Sequence, residues 1–326
     1  MKAMILAAGY GTRLFPLTID RTKPAIPLLG KPLVGYVAEY LARFGIKDVI
    51  VNLHHQPESV KRALGDGSDF GVKIHYTLEL PKILGTAGAL DNAREHLEDD
   101  TFLIINGKIV TDIDISAAIE AHRSSGALAT MVLKENSARE AFSEVYVEGS
   151  RITGFGDFPD PNGTGNAPLM FTGIHILEPR VFDYIPRGVY SDIVPTFYNP
   201  AIRKGELIGA HITDARWFEL STIPRYLEIS LKLLNGSSER MIVGRNPKIA
   251  HDARLGDSVL WDNVTIEDGA TVERSIIGDD VVVRSGEVMR DVAVVRKEII
   301  ESLGTIPEKA LRGEVVGENY IVSLKQ

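Results

Sequence analysis

"MKAMILAAGYGTR", residues 1–13, is a continuous apolar run that breaks on Gly9 and Gly11. An apolar run without alternation is what a strand buried on both faces needs, because helices cover both sides of its sheet. Working outward, apolar residues return at helical spacing in "LVGYVAEYLARFG", residues 33–45, and stop at Gly45. The same couplet recurs. Strands are expected at "DVIVNLH" (48–54), "VKIHYTLE" (72–79), "TFLIIN" (101–106) and "ALATMVLK" (127–134), with helices at "PESVKRALG" (57–65), "TAGALDNAREHL" (86–97) and "ISAAIEAHRSSG" (115–126). Such alternation predicts an α/β fold with a Rossmann-like, mostly parallel sheet flanked by helices. "EVYVEGSRITGFGDF" (144–158) and "MFTGIHILEP" (170–179) read as added antiparallel strands, and "STIPRYLEISLKLLNG" (221–236) as a closing helix.

From about residue 247 the pattern changes. Small aliphatic residues and glycines return with a period near six, through Ile249, Leu255, Val264, Ala270, Ile276, Val282 and Val288. A hexapeptide period predicts short strands stacked as a β-helix, each coil burying an aliphatic rung on the next. The domains expected are therefore 1–236 for the α/β part, 247–295 for a short left-handed β-helix, and 296–326 as a tail with a helix at "KEIIESLG" and a strand at "NYIVSLK". Stacked coils have flat sides and open ends, so a homo-oligomer is expected.

Composition narrows the function. The chain has 326 residues, of which 44% are hydrophobic and 25% charged, an ordinary globular balance. Acids outnumber bases 44 to 36, and there is no Lys/Arg-rich block, which disfavours a nucleic-acid or membrane-surface partner. Zero cysteines exclude disulfides and thiolate chemistry. The N-terminal apolar run is too short for a signal peptide and no segment is long enough to span a bilayer, so a cytoplasmic protein is expected.

The chemistry concentrates in "LAAGYGTRLFPLTIDRTKPAIPLLGKPL", residues 6–33. A strand followed by Gly9, Gly11, Thr12 and Arg13 offers backbone N–H groups that can close on phosphate oxygens, with a guanidinium aimed at the same anion. Neither the Rossmann glycine pattern nor the Walker lysine spacing is present. The segment resembles the signature of the sugar-1-phosphate nucleotidyltransferases, G-x-G-T-R-L, P-L-T, K-P and G-K-P-L, matched in order through Leu14, Pro16, Leu17, Thr18, Lys23, Pro24, Gly30, Lys31, Pro32 and Leu33. "VNLHH" (51–55), "LGTAGAL" (84–90), "TGIHILEP" (172–179) and "STIPRYLE" (221–228) agree with the same family.

The resemblance implies the nucleotide-diphospho-sugar transferase fold. It also implies a reaction in which a sugar 1-phosphate attacks the α-phosphorus of an NTP, releasing pyrophosphate and giving an NDP-sugar. It implies Arg13 and Lys23 as catalytic cations, nucleotide contacts at Leu6, Ala8, Gly9, Gly11, Thr12, Arg13, Glu79, Gly85 and Thr86, and sugar-phosphate contacts at Gly88, Asn106, Lys108, Gly173 and Glu219. A carboxylate at Glu79 suits the N1–H and N2–H₂ of guanine and would favour GTP.

One stretch departs from the family. In "IINGKIVTDID", residues 104–114, Lys108 stands where the family's N-G-D has a metal-binding aspartate, and Glu219-Leu220-Ser221-Thr222 replaces the second one. Asp157-Phe158-Pro159 replaces the family's E-K-P. An ammonium cannot ligate a metal, so a Mg²⁺ requirement is left open. Two readings remain: an enzyme in which Lys108 supplies a fixed charge, or a nucleotide- or NDP-sugar-binding regulatory paralogue that has lost turnover.

Overall fold

The computed structural model describes residues 1–234, 240–301 and 306–325. By internal contacts it divides into two compact units, each discontinuous in sequence. The first comprises Met1–Gly9, Val34–Pro57 and Leu64–Phe218, and the second Tyr10–Leu33, Glu58–Ala63 and Glu219–Gln326. This grouping cuts across the linear boundaries expected from the sequence, because the signature segment 10–33 falls with the C-terminal coils. The expected end of the closing helix at Asn235-Gly236 lies outside the described residues.

The first unit is built on a nine-stranded sheet in the order Lys73–Leu78, Asp48–Leu53, Lys2–Leu6, Phe102–Asn106, Leu169–Leu177, Ala129–Glu135, Ile208–Thr213, Arg151–Phe155 and Val145–Glu148. The first four strands run parallel. Their carboxyl ends therefore share one edge of the sheet, the edge at which α/β proteins bind ligands. Leu169–Leu177 is antiparallel to both its neighbours, and Arg151–Phe155 pairs with Val145–Glu148 as the antiparallel margin. Met4, Ile50, Phe102 and Ile104 belong to one buried cluster, which explains the uninterrupted apolar runs.

Ile208–Thr213, parallel to Ala129–Glu135, escaped the sequence reading. Gly209 gives that strand a weak signature, yet a Cβ there would lie 2.8 Å from Thr130 Oγ1, so the packing demands the glycine that hides the strand. The helix expected over 86–97 is two pieces, Gly85–Asn92 and Arg94–Leu97. No helix among the described residues is long and apolar enough to cross a membrane.

In the second unit, parallel strands stack on three faces, starting at Met241–Val243, Lys248–Ile249 and Arg254–Gly256. Asn246 Nδ2 donates to Asn263 Oδ1 at 3.2 Å and Asn263 Nδ2 to Asp280 Oδ1 at 2.9 Å, each a step of 17 residues. The backbone turns with positive φ at Asn246, Asn263 and Asp280, and again at Asp257, Arg274 and Asp291. Asn and Asp tolerate that region best, which is why five of these six turn positions carry them. A repeat of 17 rather than three sixes makes counting by six drift out of phase. Val283 and Met289 point inward, whereas Ile249 and Val288, expected as rungs, are 38% and 59% exposed.

The tail is part of the same unit. Asn319–Ser323, at the strand expected from "NYIVSLK", pairs antiparallel with Val292–Arg296, so the parallel stack stops there. Asn319 Nδ2 and Leu324 N donate to the carbonyls of Val282 and Asp291, groups that an open coil end would leave bare. The helix expected at "KEIIESLG" spans Lys297–Glu301, and residues 302–304 lie outside the described residues.

Candidate active site

Of the residues singled out by sequence, Leu6, Ala8, Gly9, Glu79, Gly85, Thr86, Gly88, Asn106, Lys108 and Gly173 belong to the first unit. Gly11, Thr12, Arg13, Lys23 and Glu219 belong to the second.

In the first unit the strand ends converge. Leu6 and Asn106 are register partners on adjacent parallel strands, and Gly107 N donates to Leu6 O at 3.0 Å. Gly173 lies where the Leu169–Leu177 strand breaks register, at φ +84°, and a Cβ there would collide with the Asn106 side chain. Only glycine fits both the backbone and the space. Beyond Leu6 the chain enters Ala7, Ala8 and Gly9, where nothing lies within 4 Å of a would-be Cβ on Gly9.

Lys108 is half-buried, just past the end of Phe102–Asn106. The two acids behind it have other duties. Asp112 Oδ1 accepts from Arg216 N and Oδ2 from Arg216 Nε, both at 2.7 Å. Burial pushes the Asp112 carboxyl up, but the hydrogen bonds and charge of Arg216 outweigh it and hold the group below the usual carboxylate range. Asp114 caps the helix Ile115–Ser125, accepting from Ser116 N at 2.9 Å.

Glu79, expected at the nucleotide, is held by the chain itself. It is fully buried, its Oε1 accepts from Asn52 Nδ2 at 2.6 Å, and its Oε2 accepts from Leu84 N at 2.6 Å. A carboxylate with both oxygens taken up in this way holds the chain in place, and nothing in the arrangement singles out guanine. Gly85 to Gly88 differ as well. A Cβ on Gly85 would lie 2.6 Å from Ser191 O, and one on Gly88 would lie 2.7 Å from Val189 O. Ala87 N and Gly88 N both donate to Ser191 O, at 2.9 and 3.1 Å, and Thr86 Oγ1 reaches Asp192 Oδ1 at 3.4 Å. The glycines thus admit the backbone of residues 189–191, which takes up the first N–H groups of the helix.

Asn52 and Asp192 were not singled out by sequence. Asn52 stands in the "VNLHH" island, but nothing local shows that its side chain receives Ala7 N. Asp192 carries no sequence signal.

In the second unit, Gly11 has φ +67° and opens a short 3₁₀ turn, Thr12–Leu14. A Cβ on Gly11 would lie 3.1 Å from Thr18 Cγ2 and 3.4 Å from Lys23 N, so turn and lysine are in contact there. Lys23 is buried at 8% exposure at the start of a second 3₁₀ turn, and Thr22 N, one residue earlier, donates to Ser59 Oγ at 3.0 Å. Arg13 is exposed. Behind the turns, Tyr226 OH donates to Pro27 O at 2.6 Å and accepts from Trp261 Nε1 at 3.0 Å, while the Arg21 guanidinium lies 4.8 Å from the Trp261 ring centre. These bonds tie the signature segment to the first coils. Glu219 is buried, with its carbonyl accepting from Arg225 Nε at 2.8 Å.

The donor set does not fit a two-aspartate metal site. The strand-end position carries an ammonium, Asp112 is bound by Arg216, and Asp114 caps a helix. Among the described residues no group of three or more His, Cys, Asp or Glu side chains could hold a metal ion.

A family model described as Nucleotidyl transferase matches residues 2–236. The UTP–glucose-1-phosphate uridylyltransferase of Synechocystis is 32% identical over 282 residues, covering 82% of this chain and 72% of its own. The mannose-1-phosphate guanylyltransferase of Mycobacterium tuberculosis is 27% identical over 301 residues, covering 83% of each. The N-acetylmuramate alpha-1-phosphate uridylyltransferase of Neisseria meningitidis is 34% identical over 235 residues, 70% of this chain and 96% of its own. A Bacillus anthracis crystal structure described as a glucose-1-phosphate thymidylyltransferase shares the fold, with TM-score 0.62 and 23% identity over 72% of this chain and 96% of that one.

Proposed function

Because the chain belongs to the nucleotidyl transferase family and is a sugar-1-phosphate nucleotidyltransferase, joining a nucleotidyl group to a sugar 1-phosphate to give an NDP-sugar, we propose that it does so with fixed cations in place of a two-aspartate metal site. Two highly anionic reactants must meet in line, so positioned charge supplies most of the catalysis. Arg13 and Lys23 neutralise the NTP phosphates, and Lys108 places a permanent charge beside the sugar phosphate. Any Mg²⁺ arrives with the NTP and not on chain carboxylates. The observation that supports this most directly is the commitment of Asp112 and Asp114 to Arg216 and to a helix cap, beside a lysine at the strand end.

The test is pyrophosphate release with each of four NTPs and a panel of sugar 1-phosphates, with and without EDTA. Release that survives EDTA supports the fixed-cation reading. Release that saturates once Mg²⁺ equals the NTP supports it equally, release that needs Mg²⁺ in further excess rejects it, and no release with any pair favours the regulatory paralogue. The same panel decides the base, since GTP is no longer singled out by Glu79.

We further propose a homo-oligomer that forms through the flat sides of the coil stack, where Ile249 and Val288 are exposed, because its last coil is closed by Asn319–Ser323. Light scattering of the full chain should give a multiple of the protomer mass, and Val288→Glu should lower it. A monomeric mass in both would reject the proposal.

A further inference from the structure

A buried hydrogen-bonded chain crosses the carboxyl edge of the sheet in the first unit. Ala7 N donates to Asn52 Oδ1 at 2.7 Å, Asn52 Nδ2 donates to Glu79 Oε1 at 2.6 Å, and Leu84 N donates to Glu79 Oε2 at 2.6 Å. Asn52 is 3% exposed and Glu79 is fully buried. Each link is specific in polarity. Asn52 must accept on one side and donate on the other, and Glu79 must accept at both oxygens. The two ends of the chain are the backbones of two segments: Ala7 leads into Ala8 and Gly9, and Leu84 leads into the Gly85–Asn92 helix. Beyond Leu84 the order continues through Ser191 N, which donates to Leu84 O at 2.9 Å, and Thr86 Oγ1, which accepts from Ile193 N at 2.8 Å and donates to Asp192 Oδ1 at 3.4 Å.

From this we infer that Asn52 and Glu79 are positioning residues that set the gap between Ala7–Gly9 and Leu84–Thr86 and thereby the affinity for the NTP. The inference rests on the proposed function and on the nucleotide contacts that the family resemblance implies at Ala8, Gly9, Gly85 and Thr86. Neither side chain touches the substrate. They act by fixing two backbone segments from strands that are not adjacent in the sheet, since Asp48–Leu53 lies between the strands that lead to Ala7 and to Glu79. A buried network in which every donor meets an acceptor locks one geometry, and a mismatched one loosens it.

Polarity supplies the test. In Glu79→Gln the side chain has one acceptor for two donors, so either Asn52 Nδ2 or Leu84 N faces an N–H. In Asn52→Asp an acceptor faces the Glu79 carboxylate. The double variant Asn52→Asp/Glu79→Gln restores every link: Ala7 N to Asp Oδ1, Gln Nε2 to Asp Oδ2, and Leu84 N to Gln Oε1. Each single variant is expected to raise KM for the NTP by about tenfold or more, with KM for the sugar 1-phosphate within about twofold, and the double variant to return within about threefold of wild type.

Singles that lower Tm but leave KM for the NTP unchanged would overturn the inference, as would a folded double variant that keeps the raised KM. Should the singles be too unstable to assay, the double variant alone decides by the same criterion. NTP binding by calorimetry on the same proteins separates this inference from its premise. A wild type that binds NTP but releases no pyrophosphate fails the proposed reaction and still tests the positioning pair.

Discussion

Arg13→Ala and Lys23→Ala should each lower turnover by at least about a hundredfold, because each removes a positive charge acting on the transferring phosphate in a preorganised setting. Their structural costs differ, which separates catalysis from folding. Arg13 is exposed, so its removal should leave Tm unchanged. Lys23 is buried against the Gly11 turn, so its alanine variant should also lose stability through lost packing of the side-chain stem. Lys23→Met keeps most of that stem, and should recover Tm without recovering turnover. The measurements are steady-state pyrophosphate release and thermal unfolding on the same samples. Wild-type-like rates in Arg13→Ala would remove the role assigned to the signature turn.

The second expectation concerns Lys108. Lys108→Ala should lower turnover by roughly tenfold or more, since the sugar phosphate loses a fixed counter-charge that water cannot replace at a half-buried position. Lys108→Asp should behave differently, trading the ammonium for an oxygen ligand that a hard divalent cation prefers, and its residual activity should rise with added Mg²⁺ more steeply than that of wild type. The readouts are the Mg²⁺ dependence of turnover and the affinity for sugar 1-phosphate without Mg²⁺. A neutral Lys108→Ala, in a wild type already steeply dependent on Mg²⁺, would make the lysine a bystander.

Glu79 shows why site residues are harder to read than strands. At the end of "VKIHYTLE" it reads as an acid poised over a ligand, and the inference to guanine followed from its chemistry alone. Whether a carboxylate faces a base or the chain depends on partners far away in sequence, here Asn52 and the backbone of Leu84. Gly85 and Gly88 make the same point. A glycine pair at a helix start suits an approaching phosphate or an approaching backbone equally well, and only the position of residues 189–191 decides between them.

What the sequence determined by itself is the set of features encoded by local periodicity. Uninterrupted apolar runs between helical repeats specify a covered, mostly parallel sheet, and the signature islands specify the family, because each depends on residues close together in the chain. The aliphatic repeat specified stacked coils, although its true step of 17 residues appears only when coil pairs with coil. Tertiary structure alone decided the rest. It grouped residues 10–33 with the C-terminal coils through Tyr226, Trp261 and Arg21, and closed the last coil with Asn319–Ser323. It also committed Asp112 to Arg216, 104 residues away. The physical reason is common to all of these: a hydrogen bond or ion pair between distant segments is chosen by which groups folding brings together, and no local pattern records it.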